Sequence, residues 1–243
     1  MRSFSTSALI VVAVCLSAMA SADYDTSFEN PTSLGLLDGQ DGWTAFGNPD
    51  AVLVQGAEIA SGSQAVSFDA GLAGGSTWMA QFVDWNPAVS GTLVDISFAM
   101  RVQSGVTDAP IFGIDLYDSA SNRLFAFGRA ASGDVVLADE TGSMAVTGAL
   151  ADSAWHRYRV RLDFATTTCR TWFDGSLVGS TYHWNASALS DLSDVNLYLG
   201  DDGGTATNVA YFDDVSIQAV PEPASSLALA TATVAFLARR RRN

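Results

Sequence analysis

Two carboxylates near opposite ends of residues 23–219 are the first candidates for chemistry. Glu29 lies near the start of that region and Asp213 near its end. If the last strand is regular, Asp213 shares its face with Tyr211 and Val215 and points inward. A buried carboxylate must be paired, protonated or bound to a metal, and oxygen ligands of this kind suit Ca²⁺. The alternative is a bulge that turns the aspartates of this strand to solvent.

Groups for catalysis are less well represented. Glycoside hydrolysis needs two carboxylates on opposite sides of the bond, but the glutamates between residues 23 and 219 are Glu29, Glu58 and Glu140, which lie far apart. His156 and His183 have no serine or cysteine motif beside them, so a nucleophilic triad is not supported. We therefore expect no catalysis, with a divergent glycoside hydrolase as the alternative.

Aromatic side chains favour binding instead. In the segment 168–173, alternation places Trp172 with Arg170 on the face opposite Cys169. An outward tryptophan can stack on a sugar ring, and the sequence that follows adds the aromatic and amide groups typical of sugar sites. The residues expected to form this glycan-binding site are Trp172, Tyr182, Trp184 and Asn185. The alternative is that a neighbouring loop covers Trp172.

Three arginines alternate along another segment. Arg157, Arg159 and Arg161 share one face of residues 155–164. Such a ladder either meets an anionic polysaccharide or pairs with aspartates on adjacent strands. Both interpretations stay open at the level of sequence.

The segments that carry these residues have the pattern of β-strands. Residues 93–102 and 155–164 alternate apolar with polar side chains, which is typical of antiparallel sheets with one buried face. Further strands are predicted at 111–117, 123–129, 168–173, 196–200 and 209–218. Asp174-Gly175 predicts a two-residue hairpin turn, because both positions favour positive φ. Many short strands joined by turns predict an all-β, two-sheet antiparallel sandwich.

The second half of the chain is similar to a known group of jelly rolls. The runs 155–160 and 172–178, with 196–200 and 212–217, resemble concanavalin A-like and laminin-G-like domains. The two ends, 27–29 and 212–215, fit galactose-binding-like modules equally well, and both groups are jelly-roll sandwiches. The resemblance implies that the first and last strands lie side by side, with a structural Ca²⁺ site at Glu29 and Asp213.

The N-terminus has the features of an export signal. Arg2 gives a positive start, residues 8–18 form a short apolar run, and small residues precede a cleavage point after Ala22. We expect residues 1–22 to be a signal peptide that directs the chain to the export translocon.

The C-terminus, 220–243, combines three features of a sorting signal. Pro221-Glu222-Pro223 is followed by an apolar stretch, 224–238, and then by four arginines, Arg239 to Arg242. This pattern resembles the PEP-CTERM sorting signal. The resemblance implies a hydrophobic sorting helix that anchors the chain transiently in the inner membrane, and processing by an exosortase-type peptidase.

Charge and cysteine content limit the function of the region between these ends. Residues 23–219 contain 25 acids against seven arginines, and the chain has no lysine. This balance excludes nucleic acid as a partner, because nucleic acid needs a basic surface. Cys169 is the only cysteine of this region, so it forms no internal disulfide.

These features together predict an exported envelope or extracellular-matrix protein with a jelly-roll domain at 23–219. We expect the domain to bind exopolysaccharide or another glycan without catalysis. The alternative is a purely structural surface protein without a small ligand.

Overall fold

The computed structural model describes residues 23–29, 32–103, 111–130, 132–139, 142–146, 153–184, 191–200 and 208–220. Within these ranges the chain forms two antiparallel sheets with few helical residues, as the sequence predicts. The predicted signal peptide and the tail from residue 221 onward lie outside the described residues. Within the described ranges, no helix combines the length and hydrophobicity needed to cross a bilayer.

Sheet A contains the last strand of the domain. Its strands are β1 (Tyr24–Thr26), β2 (Gly35–Leu36), β4 (Val52–Gln55), β5 (Ala65–Asp69), β7 (Leu93–Val102), β12 (His156–Asp163), β13 (Thr168–Phe173), β14 (Ser176–His183) and β16 (Val209–Ala219). The order is β14-β13-β12-β7-β16-β5-β4-β2, and β1 pairs with the second half of β16.

Sheet B packs against sheet A. Its strands are β3 (Trp43–Phe46), β6 (Thr77–Trp85), β8 (Ile111–Tyr117), β9 (Arg123–Ala130), β10 (Val135–Asp139), β11 (Gly142–Val146) and β15 (Leu192–Gly200). The order is β11-β10-β9-β8-β15-β6-β3. The helical pieces are a 3-10 turn (Pro49–Ala51), α1 (Ala70–Ala73) and α2 (Pro87–Ser90).

The two sheets share one apolar core. Phe98 and Tyr158 of sheet A stack with ring centroids 4.9 Å apart, and Phe127 of sheet B meets Tyr158 edge-on at 5.4 Å. Burial of each such ring contributes about 1.5–3 kcal/mol to folding. Cys169 is buried in the same core and forms no disulfide within the described residues.

The hairpin between β13 and β14 has the predicted turn. Asp174 and Gly175 have φ values of 47° and 78°, the left-handed geometry in which glycine is favoured. The Asp174 carboxylate accepts a hydrogen bond from the Arg157 N–H at 2.8 Å and lies 2.7 Å from Nδ1 of His156. The turn is therefore tied to the start of β12.

The last strand is not regular, and Asp213, although fully buried as expected, does not share a face with Val215. A bulge lies between Asp213 and Ser216, and Asp214 has a φ of 49°. Before the bulge Phe212 points into the core, so Tyr211 faces outward and packs under Arg101. The extra residue reverses the alternation, so that Val215 after the bulge points inward.

Candidate functional site

The four residues of the predicted glycan site do not share one surface. Trp172 lies on the outer face of sheet A, as its alternation with buried Cys169 and Thr171 predicts. Tyr182 pairs with Cys169 across the sheet and packs against the core, and Trp184 is 4 % exposed. Asn185 lies outside the described residues.

Among the described residues, two arginines lie over the Trp172 ring. The guanidinium of Arg159 lies over its ring at 4.6 Å from the centroid, and that of Arg161 at 5.8 Å. Asp95 on β7 holds both guanidinium groups, with N–O distances of 2.6 Å to Arg159 and 2.7 Å to Arg161. The ladder therefore pairs with aspartates, since Arg157 also contacts Asp214 at 2.7 Å.

Burial and the two arginines act in opposite directions on the pKa of Asp95. Burial acts to raise its pKa, but hydrogen bonds from Arg161 and Arg159 outweigh burial and lower the pKa. Asp95 was not singled out from the sequence. Its place opposite Arg161 in the pairing of β7 with β12 could identify it only once the register was known.

The two residues of the predicted calcium site bind backbone N–H groups of one loop, residues 56–64. Asp213 is fully buried, and its Oδ2 accepts from the N–H groups of Ala60 and Ser61 at 3.0 and 2.9 Å. The Glu29 carboxylate accepts from the N–H groups of Ser63 and Gln64 at 2.6 and 2.8 Å. These contacts explain the burial of Asp213 without a metal, because its charge is hydrogen-bonded.

Metal binding stays a prediction. Within the described ranges, no three side chains among His, Cys, Asp and Glu come together as a metal-binding group. Burial raises the pKa of Asp213, while its three backbone N–H donors act in the opposite direction. Glu29 is partly exposed, and hydrogen bonds from Ser63 and Gln64 lower its pKa.

The outer face of sheet B carries a cross-strand row that sequence reasoning missed. The register of five strand pairs places these side chains and glycines in line across the sheet: Phe46, Trp78, Tyr198, Gly113, Gly128 and Val136. Trp78 and Tyr198 contact each other, with ring centroids 5.5 Å apart. Along the row, three aromatic residues are followed by two glycines. The aromatic rings therefore lie beside backbone that carries no side chain.

The two glycines form the floor of a trough. A Cβ atom at Gly113 would lie 2.3 Å from the carbonyl oxygen of Phe127, and one at Gly128 would lie 2.1 Å from that of Phe112. No larger residue fits at either position without displacing a strand. The resulting depression is shallow and open, with a cavity volume of about 70 Å³, and Tyr198 is among the residues that line it.

Polar groups line one side of this trough and are organised around Asp115. This aspartate is fully buried, and its Oδ2 accepts from Arg123 Nη2 at 2.7 Å and from the Tyr117 hydroxyl at 3.0 Å. Burial raises the pKa of Asp115, while Arg123 acts in the opposite direction. Arg123 also lies over the Tyr117 ring at 5.9 Å. Asp115 therefore fixes the position of a partly exposed cation at the edge of the trough.

A sequence signal for this face existed in the strand 111–117. Its inward residues are Phe112, Ile114 and Leu116, so the alternate positions Gly113 and Asp115 must point outward. Glycine in a strand interior marks a close approach of backbone or ligand. The pairing partner of this strand could not be read from the pattern.

Comparison with known proteins identifies the tail. Residues 219–242 match the PEP-CTERM protein-sorting motif. No curated protein sequence matches the chain.

Several solved structures share the fold at low sequence identity. A sialidase has a TM-score of 0.59 at 12 % identity, with 83 % of this chain and 19 % of the sialidase covered, so the chain spans about a fifth of that protein. A carbohydrate esterase from the Shiga toxin-encoding bacteriophage phi24B has a TM-score of 0.54 at 18 % identity, covering 77 % of this chain and 97 % of the esterase. Botulinum neurotoxin type C gives 0.50 at 13 % identity, covering 92 % and 53 %.

These similarities confirm the jelly-roll-like sandwich that the sequence predicts. The chain is thus an all-β sandwich of two antiparallel sheets that carries a PEP-CTERM protein-sorting motif at residues 219–242, the mark of an exported protein that an exosortase processes.

Proposed function

We propose that this exported protein is a non-catalytic glycan-binding protein of the cell surface or extracellular matrix, and that the trough on the outer face of sheet B is its binding site. The observation that carries the proposal is the cross-strand row in which Trp78 and Tyr198 stand beside the backbone of Gly113 and Gly128. Sugar rings present apolar faces that stack on aromatic side chains, and concave sites bind small ligands best.

The margins of the trough supply the other half of a sugar site. Arg123 donates hydrogen bonds at one edge, and on the neighbouring strand the Asn196 amide donates to Asp194 at 2.6 Å. Hydroxyl groups of a sugar need donors and acceptors held in fixed positions. Phe46 and Phe82 on the same face are each about half exposed at 51 %, which extends the apolar surface beyond the trough.

Asp115 supports the non-catalytic part of the proposal. Hydrolysis would need a carboxylate that reaches the scissile bond. Asp115, which holds Arg123 at the edge of the trough, is fully buried and contacts Arg123 and Tyr117. Its contacts suit a residue that positions other groups.

Similar structures include proteins that handle carbohydrate. Cell uptake of botulinum neurotoxin type C depends on interaction with two ganglioside molecules, and the bacteriophage structure is that of a carbohydrate esterase. These neighbours make a glycan a reasonable ligand class for this fold, whereas the position of the site rests on the residues of this chain.

The test is a glycan array probed with the purified full chain, followed by titration of the glycans that bind. Tyr198→Ala removes the stacking surface, and Ala126→Leu fills the trough from an outward-facing position. We expect each to weaken binding about tenfold or more, as loss of one well-packed contact does. Tyr211→Ala is the matched control, because this half-buried tyrosine lies on the outer face of sheet A. If no glycan binds the wild type, the structural-protein alternative gives the better account.

A further inference from the structure

The positive charge of the domain is concentrated on one surface. The structure describes seven arginines, and four of them project from the outer face of two adjacent strands, β12 and β13: Arg157, Arg159, Arg161 and Arg170. Residues 23–219 carry 25 acids. A cluster of arginines in so acidic a domain is a departure from the average surface that needs a physical reason.

Two of these arginines oppose each other directly. Arg161 and Arg170 are cross-strand partners in the pairing of β12 with β13. Like charges at such positions destabilise a sheet. The Asp95 carboxylate on β7 offsets the charge of Arg161, but the same carboxylate also pairs with Arg159. Arg170 is exposed and makes no ionic contact within the described residues, so the cluster keeps unneutralised positive charge.

Trp172 orders this cluster. It lies directly opposite Arg159, whose guanidinium is 4.6 Å from the ring centroid, and the Arg161 guanidinium is 5.8 Å from it. Cation–π contact and the Asp95 carboxylate fix both planar groups against the sheet. Their side chains are still 39 % and 31 % exposed. The two guanidinium groups are therefore positioned in advance of any ligand, which lowers the entropy lost on binding.

The same contacts decide what kind of ligand fits. Neutral sugars and single-stranded nucleic acid gain affinity by stacking on an open aromatic face, and here guanidinium groups lie over the Trp172 ring. A chain of carboxylate or sulfate groups needs no such face, because it binds the guanidinium edges through paired hydrogen bonds. Repulsion from acids elsewhere is screened beyond about 8 Å at physiological ionic strength.

We propose that this arginine cluster, ordered by Trp172 and Asp95, is a second binding site that takes an acidic polysaccharide with carboxylate or sulfate groups. Trp172 acts as a platform for the arginines and does not stack on the sugar. The cluster lies on the opposite face of the sandwich from the trough in sheet B. A negative binding result for one site therefore leaves the proposal for the other site intact.

The test measures binding of polygalacturonate and dextran sulfate to the full chain, with uncharged dextran as the reference polymer. Arg161→Gln combined with Arg170→Gln should weaken binding of both charged polymers about tenfold, since two charge-assisted contacts are lost. Arg101→Gln is the control for the loss of an arginine elsewhere, because Arg101 lies outside the cluster and pairs with Glu58. Tyr198→Ala, which tests the trough, should leave binding of the charged polymers unchanged.

The salt dependence of binding, and tests with other partners, distinguish this proposal from the alternatives. Binding of both charged polymers should weaken as NaCl rises from 0.05 to 0.5 M, because exposed ionic contacts are screened. The proposal is overturned if the wild type binds neither charged polymer, if single-stranded DNA binds equally well, or if Arg101→Gln weakens binding as much as the double variant. Self-association of the wild type that the double variant abolishes, seen by sedimentation, would instead assign the cluster to the acidic surface of a second copy.

Discussion

Asp213 and Glu29 hold adjacent parts of one loop from opposite ends of the chain. Asp213 accepts from the N–H groups of Ala60 and Ser61, and Glu29 accepts from those of Ser63 and Gln64. The loop, residues 56–64, joins β4 to β5. Its backbone N–H groups have no strand partner, so the two carboxylates supply the acceptors that they need.

Asp213→Asn should destabilise the fold. The substituted amide can accept at one atom only, which leaves a backbone donor at Ala60, Ser61 or Asp214 facing an NH₂ group. We expect the free energy of unfolding in urea to fall by about 1–3 kcal/mol. Asp25→Asn, at an exposed position of β1, is the control and should change stability little. Equal stability of the two variants would contradict this assignment.

Calcium binding at the same residues is tested by melting. If Glu29 and Asp213 form the predicted site, Ca²⁺ should raise the melting temperature of the wild type, because a ligand that binds only the folded state stabilises it. Asp213→Asn should remove that increase. Identical wild-type curves in Ca²⁺ and in chelator would rule out the site.

Asp194 should make stability depend on pH between about 4 and 6. Burial, together with the charges of Asp115 and Asp118, raises its pKa from 3.8 to about 6. The folded chain therefore binds this proton more tightly than the unfolded chain, and this contribution to stability is lost as pH rises towards 6. Asp194→Asn cannot ionise, so its melting temperature should exceed that of the wild type at pH 7.5.

The control for that experiment is Asp84→Asn, an exposed acid near the end of β6. It should follow the wild type at every pH. The advantage of Asp194→Asn should disappear at pH 4, where the wild-type carboxyl is already protonated in the folded chain. An advantage that persists at pH 4 would show that charge is not the cause.

Gly175→Ala should weaken the hairpin between β13 and β14. Gly175 has a φ of 78°, where a Cβ atom costs about 1–2 kcal/mol. The unfolding midpoint in urea should fall accordingly, whereas Ser176→Ala, at the exposed start of β14, should have little effect. A midpoint equal to that of the Ser176 variant would mean that the turn relaxes without cost.

Replacement of Pro221, Glu222 and Pro223 by alanine should block processing. The sorting motif covers these residues, so the precursor of the variant should accumulate in the inner membrane with its arginine-rich end attached. Mass spectrometry of the exported wild-type protein gives the comparison. An intact tail on the mature wild type would mean that the motif is not processed.

The sequence predicted several long strands because alternation reports directly on burial, but it did not identify β6 or β14, which have nine and eight residues. The bounds Leu93–Val102, Ile111–Tyr117 and Thr168–Phe173 agree with the structure, as does the turn at Asp174. Short strands such as β2, with two residues, have too few positions for a period to show.

The sites were harder to predict because they depend on pairing and on defects. One bulge in β16, which the sequence left as an alternative to a regular strand, reversed the face of Tyr211 relative to Val215. The trough needs β15 to lie between β6 and β8, since only that order brings Tyr198 beside Gly113. The alternation of apolar and polar residues indicates which face of a strand each side chain occupies, but it does not indicate which strands lie next to each other.

The position of β16 has a mechanical consequence. This strand lies inside sheet A, bonded to β7 on one side and to β5 and β1 on the other, and the sorting motif begins at its last residue. If the membrane holds the tail, tension enters the domain through the last residue of β16 and can act along the axis of that strand. The hydrogen bonds on both sides then bear the load in shear and share it, instead of opening one after another as they would from a sheet edge. Forced unfolding is governed by the unfolding rate, so a central last strand makes the attachment point of the domain resistant to tension.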